Sequence, residues 1–270
     1  MISRAERTLN YFVLIVFAAV VLIPLVLLLG ASLSPNQSGG IDLGQLRFSN
    51  FLRAWQGADF ADHLLNSTLV SGTTVLLTLV LAPLAAYGLG ILLAPGHKWV
   101  FTVFLAGIMI PLEGIIVPLY LAMKATPFAS TLTALIIAQT GLSMSFGVFW
   151  MRASFRAIPP AILEAARIDG ASDFQTLRKI VLPITVPAII TLGILTFMWV
   201  WNDYFLAFVL VNNPDQLPVT VALGQFATRY TQQVNLMSAG AILVALPILI
   251  LYVIFQRKFI DGVLSGALKG

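Results

Sequence analysis

The 270-residue chain contains no cysteine and only 10% charged residues. The first absence excludes disulfides, thiolate metal sites and cysteine nucleophiles. The second excludes an ordinary water-soluble domain, whose charged fraction is about 25%. The sequence also lacks any Gly-Lys pair, so no P-loop is present to cradle nucleotide phosphates. It has neither the H-E-x-x-H pattern of zinc hydrolases nor the G-x-S-x-G of esterases. What it has in excess is apolar surface, with 59% hydrophobic residues and a mean hydropathy of +0.95. Lipid is the solvent that matches such a chain.

Crossing a hydrocarbon core of ~30 Å takes about 20 apolar helical residues. Six runs reach that length, approximately Tyr11 to Leu33, Ser67 to Leu93, Trp99 to Met123, Thr131 to Met151, Val186 to Val211 and Ser238 to Phe255. Only Glu113 and Asp203 bring charge into them. The sequence therefore predicts an all-α, polytopic membrane protein with six transmembrane helices. With the N-terminus in the cytoplasm, eleven basic residues fall inside and only Arg47, Arg53, Lys124 and Arg229 outside. This is the asymmetry of the positive-inside rule, and it predicts both termini in the cytoplasm. The pI near 9.6 is on this reading a topology signal, not the basic face of a nucleic-acid binder.

One connection carries more information than the others. From Ala157 to Pro187 the sequence reads AIPPAILEAARIDGASDFQTLRKIVLPITVP, which predicts two short helices and a sharp turn. Pro159 and Pro160 suit a helix start. Helix formers occupy Ala161 to Asp169, and Gly170 fits a left-handed terminating position. Ser172 and Gln175 form a capping box for the second helix, and Pro183 limits it. The paired alanines Ala165 and Ala166, ringed by Glu164, Arg167 and Asp169, read as a smooth docking face; a bilayer-surface hairpin would carry bulkier apolar residues and lysine borders.

Glu164-Ala165-Ala166, Gly170 four positions later, and then Ile180, Leu182 and Pro183 resemble the EAA motif of the permease subunits of bacterial ABC importers. The segments MIPLEGIIVPLYLAM from Met109 and WNDYFLAFVLV from Trp201, with the terminal GVLSGALKG, resemble the carbohydrate-importer branch of MalG type. That resemblance implies the type I ABC importer permease fold and a sugar or oligosaccharide as cargo. The implied segments are an N-terminal tail, first helix and outer loop over 1–66, a core over 67–256 with its coupling helix near 160–170, and a cytoplasmic tail over 257–270. It further implies that Glu164, Ala165, Ala166, Asp169 and Gly170 dock on a separate ATPase subunit, with Gly266, Lys269 and Gly270 of the tail as second contacts. The implied partners are a MalF-like second permease, an ATPase pair holding ATP and Mg, and an extracytoplasmic solute-binding protein, all at the bacterial plasma membrane; this chain binds no cofactor or metal and catalyses no reaction.

Two groups are candidates for the substrate path. Glu113 lies between Pro111 and Pro118, where a broken helix would open to a water-lined passage; a helix-end carboxylate paired within the bundle is the alternative. Asn202, Asp203 and Tyr204 beside Trp201 combine hydroxyl-pairing groups with aromatic faces, as sugar sites do, but helix packing uses the same residues. Two other functions compete. One is an ABC permease for a non-sugar solute; the other is a secondary transporter relaying protons through Glu113 or Asp203, for which the internal repeat common in such proteins is not detectable.

Overall fold

The computed structural model describes residues 4–36, 41, 44–57, 59–229 and 233–267. The helices in chain order are α1 (Arg4–Leu33), α2 (Ser49–Gln56), α3 (Phe60–Gly90), α4 (His97–Met109), α5 (Leu112–Lys124), α6 (Leu132–Arg156), α7 (Pro160–Ile168), α8 (Asp173–Ile184), α9 (Val186–Asn202), α10 (Phe205–Leu210), α11 (Val219–Arg229) and α12 (Val234–Ala267). Among the described residues, α1, α3, α6 and α12 are each long and apolar enough to cross a membrane. The count rises to six when the bent pairs α4–α5 and α8–α9 are each taken as one span. By packing, the chain divides into two units, Met1–Ala61 with Ala222–Pro247 and Asp62–Val221 with Ile248–Gly270.

In the first unit, α1 is apolar on all sides, and none of its most apolar window (mean hydropathy 3.4) is buried by the rest of the chain. A helix of that kind belongs in lipid or against another chain. Its last carbonyls have no partners within the helix and are met from outside. The Arg47 N–H donates to the Leu33 carbonyl at 2.8 Å, and the Asn50 amide donates to the carbonyls of Ser32 and Ser34, both at 2.9 Å. Asn235 donates to the Ser34 carbonyl at 3.1 Å. Asn50 and Asn235 are both buried, so these bonds are formed away from solvent.

The second unit is built on α3, α6 and α9. A Cβ at Gly147 of α6 would stand 2.8 Å from the Ala82 Cβ and 3.3 Å from the Thr78 Cγ2 of α3, so these helices approach as closely as small residues permit. Since lipid tails are as apolar as leucine, helix association here depends on such packing more than on apolar burial. Two core clusters result. One gathers Val70, Ile116, Leu135, Val200, Leu206 and Leu210; the other gathers Ala82, Tyr87, Met151, Phe155, Val181 and Leu192.

Two expected spans are interrupted, for local reasons. The third bends by 108° between α4 and α5, because Pro111 has no N–H and holds Ile110 extended (φ −80°, ψ 120°). The fifth, expected to continue to Val211, stops at Asn202 with Asp203 extended (φ −67°, ψ 122°), and restarts as α10 under the Asp203 side chain. A short carboxylate that bonds nearby N–H groups competes with helix continuation. Just upstream, α8 and α9 bend by 77°. Leu177–Val181 of α8 is a π-helical turn, beside Pro183, which cannot donate to the carbonyl one turn back.

Replacing Gly147 with leucine is expected to destabilise the second unit by about 1–3 kcal/mol through overpacking, seen as a lowered thermal midpoint in detergent. Gly141→Ala, where the added Cβ has nothing within 4 Å, should leave the midpoint essentially unchanged.

Candidate functional site

The elbow formed by α7 and α8 is fixed by its own sequence. Pro160 occupies the first turn of α7, where a missing N–H costs nothing. At the other end Gly170 adopts φ +74°, and two bonds close a Schellman turn: Gly170 N–H to the Arg167 carbonyl at 3.1 Å and Ala171 N–H to the Ala166 carbonyl at 3.0 Å. The capping box follows, with Gln175 N–H on the Ser172 hydroxyl at 3.3 Å and Ser172 N–H on the Gln175 side-chain oxygen at 2.9 Å. The turn between the helices is thus hydrogen-bonded on both sides.

The elbow is also seated. Ala166, Thr176, Leu177 and Val181 are buried; Leu177 and Val181 belong to the cluster of Tyr87, Met151 and Phe155, and Leu163 packs against it. Tyr87 meets Phe155 edge-on at 6.5 Å, which ties the ends of α3 and α6 together beneath the elbow. At the same level Arg152 lies 3.8 Å over the Phe101 ring and donates from Nε to the Leu89 carbonyl at 3.3 Å. A push on the elbow therefore bears directly on α3 and α6.

Of the predicted docking residues, Glu164, Ala165, Asp169 and Gly170 are exposed together on the outer side of the elbow. Ala166, expected beside Ala165 on that face, is only 4% exposed and points into the protein. Its small size lets the elbow settle on the core. Two outward residues escaped the sequence reading: Ile168, 86% exposed, and Phe174, 65% exposed. The available signal was an isoleucine immediately before the Asp169-Gly170 terminus. Of the tail residues, Gly266 lies in α12, while Lys269 and Gly270 lie outside the described residues.

The second candidate surrounds Asp203. Its carboxylate accepts from Gln139 Nε2 of α6 at 3.0 Å and from the Ala207 N–H of α10 at 3.1 Å, and its backbone carbonyl accepts from the Thr220 hydroxyl at 2.9 Å. One residue thereby joins α6, α9, α10 and α11. Beside it lies a narrow cleft with room for about one water molecule, lined by Ser67, Ser71, Gln139, Asp203 and Pro218, with Leu135 and Val200 among its apolar walls. Ser67 accepts the Val219 N–H at 2.8 Å. Asn202 is exposed and donates to its own helix at the Met198 carbonyl, 2.8 Å away; Tyr204 stacks on Phe208 with centroids 5.6 Å apart, and Trp201 is buried against Phe197. The four residues of this segment thus point different ways, and only Asp203 reaches the cleft. Gln139, its partner, was missed; an amide in the middle of the fourth apolar run was the signal. Glu113 is exposed in the first turn of α5, where a carboxylate complements the helix dipole, and it does not line this cleft. The described residues contain no group of three or more His, Cys, Asp or Glu able to hold a metal.

A chain of broken and unbroken apolar spans with a capped elbow is a polytopic membrane protein. The sequence model of the binding-protein-dependent transport system inner membrane component matches residues 86–263, and the chain belongs to that family. Members are permease subunits of ABC transporters and are not themselves catalytic. The trehalose transport permease SugB of Mycobacterium tuberculosis is 30% identical over 92% of this chain and 93% of its own length. The melibiose/raffinose/stachyose import permease MelC of Bacillus subtilis is 31% identical over 99% of this chain and all of its own length. Among solved structures, a chain of a bacterial ABC transporter importing the acidic polysaccharide alginate superposes with a TM-score of 0.82 at 23% identity, over 96% of this chain and 99% of that one. At that identity the likeness establishes a common fold.

Asp203→Ala is expected to lower thermal stability by about 0.5–2 kcal/mol, the cost of a lost helix cap, with Asn restoring part of it because one acceptor oxygen remains. Gly170→Val forces a β-branched residue into the left-handed region, at a cost of about 1–2 kcal/mol; membrane insertion, read by fractionation, should be normal while transport is lost.

Proposed function

We propose that this chain is one permease of a heterodimeric pair in an ATP-driven importer of a sugar or oligosaccharide, and that the elbow couples it to an ATPase subunit. The observation that carries the coupling is the elbow itself, an outer face of Glu164, Ala165, Ile168, Asp169 and Phe174 exposed on a turn that its own hydrogen bonds hold rigid. Ala166 acts from beneath that face by letting α7 sit down on the core. When the ATPase pair binds and hydrolyses ATP, its closure moves the elbow, and the elbow's seat on Tyr87, Met151 and Phe155 passes the movement to α3 and α6. The tail residues Gly266, Lys269 and Gly270 provide a second contact with the same subunits. The chain lies with both termini in the cytoplasm, in agreement with its basic residues.

A sugar cargo is supported by the relatives, which include permeases named for trehalose, for melibiose, raffinose and stachyose, and for diacetylchitobiose. A structural neighbour is an alginate transporter in complex with a pentasaccharide-bound periplasmic protein, which supports delivery by an extracytoplasmic binding protein. Asp203, Gln139, Ser67 and Ser71 are hydroxyl-pairing groups on a cleft that holds about one water molecule in this structure, so a sugar would reach them only once the surrounding helices part; Glu113, Asn202 and Tyr204 are the further candidates along its path. A proton relay through Asp203 is disfavoured by the structural work that residue already does between α6 and α10.

Affinity purification of the tagged chain in mild detergent is expected to recover a second permease and a P-loop ATPase, and the complex in vesicles to accumulate labelled oligosaccharide only with internal ATP. Ile168→Asp should cut ATPase recovery by about tenfold or more, the effect of some 1.4 kcal/mol at an interface, without loss of the second permease. Uptake by the chain alone, driven by a pH gradient, would overturn the reading.

A further inference from the structure

The short helix α2 divides its surface into three sectors. Asn50 and Ala54, four residues apart, are buried at 0% and 2% exposure and form the side that faces the protein. Ser49, Arg53 and Gln56, spaced four and then three, are exposed and polar. Phe48, Leu52 and Trp55 share that spacing on the remaining side and are also exposed, at 69%, 58% and 39%. Residues three and four apart stack on one face of a helix, so each sector is continuous. A helix with one side on protein, one in water and a third bare and aromatic needs a non-aqueous phase along that third side.

The position of α2 identifies the phase. Arg47 N–H on the Leu33 carbonyl, and the Asn50 amide on the carbonyls of Ser32 and Ser34, fix the start of α2 to the last turn of α1. Leu33 is also where the long apolar run of α1 ends. The level at which α1 leaves the hydrocarbon is therefore the level of α2. α1 buries none of its apolar window in this chain and so meets lipid or another chain along its length, while at its end the Phe48–Leu52–Trp55 side stands at the level of the lipid headgroups. Tryptophan and phenylalanine favour the headgroup boundary, and arginine stems lie along apolar surface while the guanidinium reaches phosphate. Trp55 is further held by the buried Phe60 ring, centroids 5.4 Å apart, which fixes the indole in place.

From this partition we propose that α2 is an interfacial anchor: its Phe48, Leu52 and Trp55 side lies in the headgroup and upper acyl layer of the bilayer at the exit of α1, with Arg47 and Arg53 on phospholipid phosphate. The anchor sets the depth and rotation of α1 through Asn50. It is a lipid-binding role separate from transport of the cargo and from the elbow.

Because the chain has no native cysteine, single cysteines report without background. Nitroxide labels at Phe48→Cys, Leu52→Cys and Trp55→Cys, and at Ser49→Cys and Gln56→Cys, are placed in the assembled transporter in vesicles of phosphatidylethanolamine and phosphatidylglycerol. Collision with oxygen should exceed collision with a water-soluble nickel chelate several-fold at 48, 52 and 55, and the order should reverse at 49 and 56. High nickel access at 48, 52 and 55 would overturn the proposal in favour of an aqueous or intermittently docked surface, and low access to both reagents would overturn it in favour of a seated partner chain. Unlabelled protein gives a second reading that needs no cysteine variant. The emission lost in Trp55→Phe is the Trp55 signal, and lipids brominated near the headgroup end of the chain should quench it strongly; absence of quenching refutes the anchor.

Discussion

In hydrocarbon, water cannot serve a backbone N–H or carbonyl that the chain leaves unpaired. Several departures from continuous helix among the described residues are accompanied by a side chain that closes the gap. Asn50 and Asn235 meet the last carbonyls around α1. Asp203 caps α10, Ser67 accepts from the start of α11, and the Thr185 hydroxyl donates to the Val181 carbonyl at the bend between α8 and α9, 2.8 Å away. Part of the polar complement of this apolar chain thus stands where helices end or bend.

The same economy shapes the two candidate sites. At the elbow, Gly170 and the Ser172–Gln175 box satisfy the termini of α7 and α8 internally, which leaves the outer side chains unengaged and available to a partner. At the cleft the reverse holds. Asp203 is engaged by α6, α10 and α11 together, so a movement of α6 against α9 and α10 would alter both the hydrogen bonds of Asp203 and the shape of the cleft. The elbow rests on α6 through Met151 and Phe155, and the Gln139 that holds Asp203 belongs to the same helix. α6 is the element common to the elbow and the polar cleft.

Where structure follows from neighbours in sequence, it was readable in advance. The glycine at 170 in the left-handed region, the capping box and the proline at the start of α7 all depend on residues within one turn of each other. The six apolar runs were likewise visible, since hydropathy over some twenty residues is a local property. Proline 111 hinted at the break in the third run, although its 108° bend is a geometric outcome. The break at Asp203 was harder to read, because a carboxylate within an apolar run predicts a partner without naming it, and Gln139 lies 64 positions away.

Composition and hydropathy by themselves determined the solvent, the helical class and the number of apolar runs, and the spacing around Glu164–Gly170 determined the elbow, because these properties depend on single residues and short-range turns. Only the tertiary structure decided that Ala166 turns inward while Ile168 and Phe174 face out, that Asp203 is tied to α6, and that the N-terminal segment groups with Ala222–Pro247. Those outcomes depend on which helix faces come together across long separations in sequence, and a 3.6-residue period states that a face exists without stating what will cover it.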